Sequence, residues 1–171
     1  MLACTGLRAS EAIRLRFDDI TPDGLVIHRT KFRKSRLVPL HDTAQAGLER
    51  YLGQRRPYAP FDDHVFVSLR RKPLRLADVE AAFRTAVKQV GLPLGPKGVR
   101  PTPHSLRHAF AVRALQTCPD GRDAITKHML ALSTYLGHTT VANTFWYLEA
   151  VPELLDLAMA RATASDGEAA Q

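Results

Sequence analysis

Between Gly91 and Pro103 the chain holds three glycines and four prolines. Proline removes backbone donors and glycine raises the entropy cost of order, so neither a helix nor a strand persists through such a stretch. The segment is a loop, and the two sides of it are patterned differently. Before it, LRASEAIRLRF (7–17) carries Leu7, Ile13 and Phe17 at roughly helical spacing with no Gly or Pro. Asp18 to Gly24 is turn chemistry, and LVIHR (25–29) and RLVPL (36–40) read as strands of a hairpin whose polar, basic tip is TKFRKS. His41-Asp42-Thr43 caps a helix predicted from about Ala44 to Arg56, Pro57 to Asp63 is a loop, and HVFVS (64–68) is a strand. Leu76 to Val90 reads as a helix with Val79, Phe83 and Val87 on one face.

After the loop the pattern is helix only. One helix starts at Thr102 or Pro103 with HSLRHAFAVRALQT, and another spans about 122–136 and ends at Gly137. A short helix covers about 139–148, and Pro152 opens a last one through Arg161. The fold class expected from this order is α+β, mostly helical, with a small early β-hairpin. Residues 1–164 read as one domain and 165–171 as a frayed tail.

Composition narrows the class of molecule. Twenty-four Lys and Arg against 17 Asp and Glu give a net charge of +7, and apolar residues make up 45% of the chain. That is enough apolar surface for a core, which excludes wholesale disorder. Two cysteines, Cys4 and Cys118, are too few for a disulfide scaffold or a cysteine-built zinc site. No apolar run reaches the ~18 residues of a membrane span, and the first residues lack the charged-then-apolar plan of a signal peptide. The expectation is a soluble, cytosolic, basic protein whose surplus charge suits a polyanion, with nucleic acid the commonest.

Four motifs carry candidate chemistry. In HSLRH, His104, Arg107 and His108 share one helix face near a helix N-terminus, where backbone N–H groups favour an anion. Arginine adds a planar fork that matches phosphate oxygens. The same residues also suit a plainer role, with His104 as a cap, His108 as a satisfied core group and Arg107 as a surface charge. In TGLRASE, Arg8 and Glu11 stand at i, i+3, either as a surface ion pair or as a phosphate-binding arginine oriented by its carboxylate. Around the hairpin tip Arg29, Lys31, Arg33, Lys34 and Arg36 put five cations in eight residues, a solvated charge run or a device that carries a lysine into a groove. Arg70, Arg71, Lys72 and Arg75 form a second basic cluster suited to a DNA backbone. Finally, in YLGHTTVANTFWYLEA, Tyr147 follows nine residues after His138. Trp146 and Tyr147 also read as partly buried aromatics. Asp18-Asp19 and Asp62-Asp63 could serve a metal-dependent nuclease, but adjacent aspartates in turns usually face solvent.

The order TGLR-x-SE, K-x-x-K-x-R-L-V-P-L, H-x-L-R-H-x-F, and LGH followed by Tyr resembles the catalytic domain of the tyrosine recombinase, or phage integrase, family. The resemblance covers about Thr5 to Ala150, and a "WYL-x-A-x-PELL" segment is similar to transposon-associated integrases. It implies that Arg8 and Arg107 clamp a scissile phosphate, that His104 contacts it, and that His138 occupies a further donor position. It implies Lys31, or Lys34 if the register slips, as the acid for the leaving oxygen, Tyr147 as the nucleophile, and Glu11 and His108 as supporting groups. Arg29, Arg33, Lys34, Arg36, Arg70, Arg71 and Lys72 then face the DNA. The implied activity is cutting and rejoining of double-stranded DNA through a 3′-phosphotyrosine, with self-association on DNA and no metal or other cofactor. Set against the family, the chain reads as a catalytic domain shortened at its start and lacking the N-terminal core-binding domain, since Met1 lies seven residues before Arg8. The alternative is a DNA-binding remnant without turnover.

Overall fold

The computed structural model describes residues 1–28, 35–95, 98–118 and 122–138. The chain begins with two single-turn helices, α1 (Leu2–Thr5) and α2 (Ala9–Ala12), split at Gly6. Gly6 lies in the left-handed region at φ 61°. A Cβ there would meet the Phe110 ring at 2.6 Å, so only glycine allows both the turn and the close approach. The continuous helix predicted over 7–17 is therefore replaced by short pieces. Arg8 is extended, and its N–H donates to Glu11 Oε2 at 2.9 Å, which starts α2 afresh. The chain then leaves α2 through turns and a 3-10 turn at Phe17–Asp19.

Three short strands follow in the order β1 (Ile20–Thr21), β2 (Gly24–Ile27) and β3 (Arg36–Val38), all antiparallel. The stretch read as a turn from Asp18 to Gly24 thus contains β1, which pairs Ile20 with Leu25 and Thr21 with Gly24. Between β2 and β3, Leu25 faces Val38, Val26 faces Leu37 and Ile27 faces Arg36. Alternation puts Leu25, Ile27 and Val38 in the core, leaves Leu37 exposed, and turns Arg36 inward.

Helix α3 (Asp42–Tyr58) runs two residues further at each end than predicted and includes Pro57. Proline is tolerated there because it lies in the final turn, which the buried Arg55 closes by donating to Ala59 O at 2.7 Å. The strand predicted at 64–68 is reduced to two isolated bridges, Arg16 with His64 and Val67 with Pro73. Its ladder cannot extend, because Phe17 enters the 3-10 turn on one side and Pro73 lacks an N–H on the other. Helices α4 (Leu76–Val90), α5 (Pro103–Gln116) and α6 (Arg122–Leu136) fall where the periodicity places them. The helices predicted at 139–148 and 152–161, and the tail, lie outside the described residues.

Two apolar clusters form the core. Leu7, Leu15, Leu25, Ile27, Val38, Leu48, Leu52 and Val65 join the sheet to the first segments and α3. Ala111, Leu115, Met129, Leu132 and Leu136 join α5 to α6. Tyr135 borders both clusters and stacks on Phe110 at 5.4 Å between ring centroids. Among the described residues, no helix is long and apolar enough to cross a membrane.

Candidate active site

The groups singled out in TGLR, HSLRH and LGH meet where the two apolar clusters adjoin. Arg107 projects from α5 and is the largest fully buried side chain, 1% exposed. Its Nη1 donates to Gly6 O at 2.7 Å and its Nη2 to Leu136 O at 2.5 Å. Carbonyls in the last turn of a helix lack intrahelical donors, so this guanidinium completes the ends of both α1 and α6. The plain reading of Arg107 as a surface charge does not hold. The TGLR turn and the LGH turn are pulled to one arginine.

Arg8 sits beside it, with its side chain 35% exposed and its Nη1 2.9 Å from Glu11 Oε1. Glu11 is held on a second side by Arg36, whose Nη1 donates to Oε1 at 3.0 Å and Nη2 to Oε2 at 2.8 Å. Burial alone would raise the Glu11 carboxyl. Hydrogen bonds from Arg36 and the Arg8 backbone, with the charges of both guanidiniums, bring it below the ordinary carboxylate value. Arg36, grouped from sequence with cations facing DNA, is instead turned inward with its side chain only 9% exposed. Period two along β3 carried that signal, since Arg36 shares the face of the fully buried Val38.

His138 is presented by a Schellman turn at the end of α6. Gly137 adopts φ 67°, its N–H bonds to Thr134 O, and the His138 N–H bonds to Ser133 O. Burial, followed by the charges of Arg107, Arg8, Arg36 and His104, pushes the His138 imidazole down to about 4. His104 is lowered by burial and then by Arg107 and Arg8. His108, packed edge-on against His104 at 4.6 Å, is lowered by burial and then by His104 and Arg107. The His104 and His138 imidazoles both feel the charges of Arg8 and Arg107, so these four groups lie within charge range of one spot. Three neutral imidazoles and guanidinium charge leave that spot positive at neutral pH, which suits a phosphate.

Tyr135 also lies near this spot, but burial above all pushes its phenol up to about 12. It is poorly placed to ionise. Tyr147, Lys31, Lys34, Arg29 and Arg33 lie outside the described residues. Arg70, Arg71 and Lys72 are exposed on a turn closed by Ser68 N–H to Lys72 O at 2.8 Å, and Arg71 lies over the Tyr58 ring. Three of the four aspartates in the acidic pairs have polar partners. Asp62 accepts from His64 N and from Arg55, Asp63 pairs with Arg16, and Asp19 pairs with His28. Sequence reasoning missed Gly6 and Gly137 as packing positions, although both stand in the quoted motifs.

A small antiparallel sheet among helices, with two arginines and three histidines at the seam, defines a class. The phage integrase family profile matches residues 1–153, and the chain belongs to that family of tyrosine recombinases. A protein named as an integrase/recombinase, y4rE of Sinorhizobium fredii, is 39% identical over 173 residues, covering 99% of this chain and 55% of its own. Tyrosine recombinase XerD of Chlamydia trachomatis is 33% identical over 155 residues, covering 88% of this chain and 47% of its own. The crystal structure of XerA recombinase superposes with a TM-score of 0.70 at 30% identity, covering 85% of this chain and 48% of that one. The XerH recombinase bound to palindromic difH substrate shares the fold, with a TM-score of 0.70 at 22% identity over 92% of this chain and 42% of that one. The chain spans about half the length of the curated relatives it matches.

Proposed function

We propose that this chain carries the strand-cleaving and strand-joining centre of a site-specific DNA recombinase, acting through a covalent 3′-phosphotyrosine at Tyr147. The observation that supports the reading is that the buried Arg107 bonds to both the TGLR and the LGH turn, which brings Arg8 and His138 to one side of it, with His104 on the same helix. A phosphodiester repels nucleophiles, and its pentavalent transition state gathers further negative charge. Guanidiniums preorganised by buried carbonyls and a carboxylate stabilise that charge without reorganising. In this scheme Arg8 binds the non-bridging oxygens, the buried Arg107 adds its charge beneath them while it holds the TGLR and LGH turns, and His104 and His138 supply further hydrogen bonds, with His108 supporting His104.

The Tyr147 oxygen attacks phosphorus, the 5′-oxygen leaves, and Lys31 (or Lys34) gives that oxygen a proton. A phenol with an ordinary value near ~10 leaves more readily than an alkoxide. The 5′-hydroxyl of another strand can then displace the tyrosine and restore the phosphodiester. The bond energy is kept in the protein–DNA linkage, so the cycle consumes no ATP. Double-stranded DNA is the proposed partner, with Arg70, Arg71 and Lys72 following its backbone and self-association on the DNA bringing the strands together.

A nicked duplex that loses its short 5′-leaving strand traps the covalent state. The expected result on a denaturing gel is a protein–DNA adduct with the native chain and none with Tyr147→Phe. A duplex-binding remnant without turnover would bind with a steep salt dependence and give no adduct under any condition.

A further inference from the structure

We propose that Arg36 is a positioning residue: it sets Arg8 through Glu11 and ties the base of the hairpin to the helix end that presents His138. The inference rests on the reading of Arg8 as a phosphate ligand.

All three guanidinium nitrogens of Arg36 are committed. Two form a parallel fork on Glu11, at 3.0 and 2.8 Å, and Nε donates to Tyr135 O at 2.8 Å. Glu11 in turn has both oxygens fixed, each accepting one bond from Arg8 and one from Arg36. A carboxylate with one guanidinium partner can swing about its terminal torsion; one gripped by a fork cannot. Arg36 thereby fixes the plane on which Arg8 rests.

The other end of the contact lies under the LGH turn. Tyr135 belongs to the last turn of α6, where carbonyls need outside donors. A Cβ on Gly137 would come within 2.9 Å of Arg36 Nη1, so the guanidinium packs directly against the turn that carries His138. One side chain from β3 thus braces the arginine that precedes α2 and the histidine after α6. Lysine could hold one of these partners with its single ammonium, but not the fork and the carbonyl together.

The test compares Arg36→Met, Arg36→Lys and the double variant Glu11→Gln/Arg36→Met, which removes the buried pair together and guards against misfolding of the single variants. Single-turnover adduct formation on the nicked duplex should fall about 10–100-fold for both Arg36 variants, as expected for a group acting through a ligand. In an Arg8→Ala background, Arg36→Met should cost clearly less than it does in the native chain, because the route through Glu11 is cut and only the brace under the His138 turn remains. With Tyr147→Phe, the salt slope of duplex binding should be unchanged by Arg36→Met, since Arg36 meets no phosphate. Side-chain NMR gives a readout independent of turnover. Arg8 Nη resonances should be resolved in the native chain and averaged in all three variants. Additive defects, a reduced salt slope, or Arg8 resonances left resolved would each overturn the proposal. If the native chain forms no adduct, the recombinase reading fails, while the Arg8 resonances still decide the role of Arg36.

Discussion

The apolar clusters around Leu25 and Leu132 hold by burying side chains that differ little in kind, whereas the seam between them is held by guanidinium groups on backbone carbonyls and a carboxylate. A core of the first type loses free energy in proportion to the volume removed and repacks in part. A seam of the second type has directional partners that nothing else can satisfy. The site sits on the seam, so the bonds that join the two halves also aim Arg8, Arg107 and His138. Changes in the two regions should therefore fail differently.

The largest effect is expected from Arg107→Met. It strands the Gly6 and Leu136 carbonyls and should cost about 3–5 kcal/mol in urea unfolding, while also abolishing the adduct. Leu25→Ala should cost a similar or smaller amount, about 2–5 kcal/mol, since Leu25 is fully buried. At a temperature well below its Tm, however, its single-turnover rate should stay near that of the native chain. Equal loss of rate in the two variants would break the distinction between core and seam.

Gly6→Ala sharpens the same point at one atom. The new methyl collides with Phe110 and strains a left-handed backbone, so a loss of about 1–3 kcal/mol is expected. Because Phe110 and Arg107 share α5, the adduct rate should fall further than stability alone would dictate.

A smaller, pH-dependent effect follows from the imidazoles. His138 titrates near 4 when folded against 6.5 in its ordinary state, and His104 and His108 are lowered as well. As pH falls through about 6.5 the unfolded chain takes up protons that the folded site refuses, so the Tm should decline between pH 7 and 5. Glu11 has the same sign at lower pH, because its depressed folded value is lost as acid protonates the unfolded carboxylate first. His138→Gln should flatten the profile above pH 5. The smallest effect belongs to Arg70→Ala, Arg71→Ala and Lys72→Ala, each expected to lower the salt slope of duplex binding by at most about 0.9 with stability unchanged.

Helices α5 and α6 were legible because their signals are local. Pro103 and the periodic apolar residues after it mark α5, and Gly137 marks the end of α6. The first half was harder, because tertiary partners override local pattern there. LRASEAIRLRF has helical spacing, yet Glu11 caps Arg8 and Phe17 N–H bonds to Asp63 O, which breaks the helix into pieces. Ile20–Thr21 becomes a strand only because β2 is there to pair with it. For the site, the residue types in TGLR, HSLRH and LGH were readable from their order. What period-two counting from Val38 could have revealed, and charge counting concealed, is that Arg36 points into the fold.

The central claim is that chemistry at this seam passes through Tyr147. The most direct measurement is mass spectrometry of the protease-digested adduct, with fragmentation that locates the nucleotide. The expected spectrum places a phosphodiester-linked nucleotide on Tyr147. A nucleotide on Tyr135 or on any other residue, or an adduct that survives Tyr147→Phe, would contradict the account.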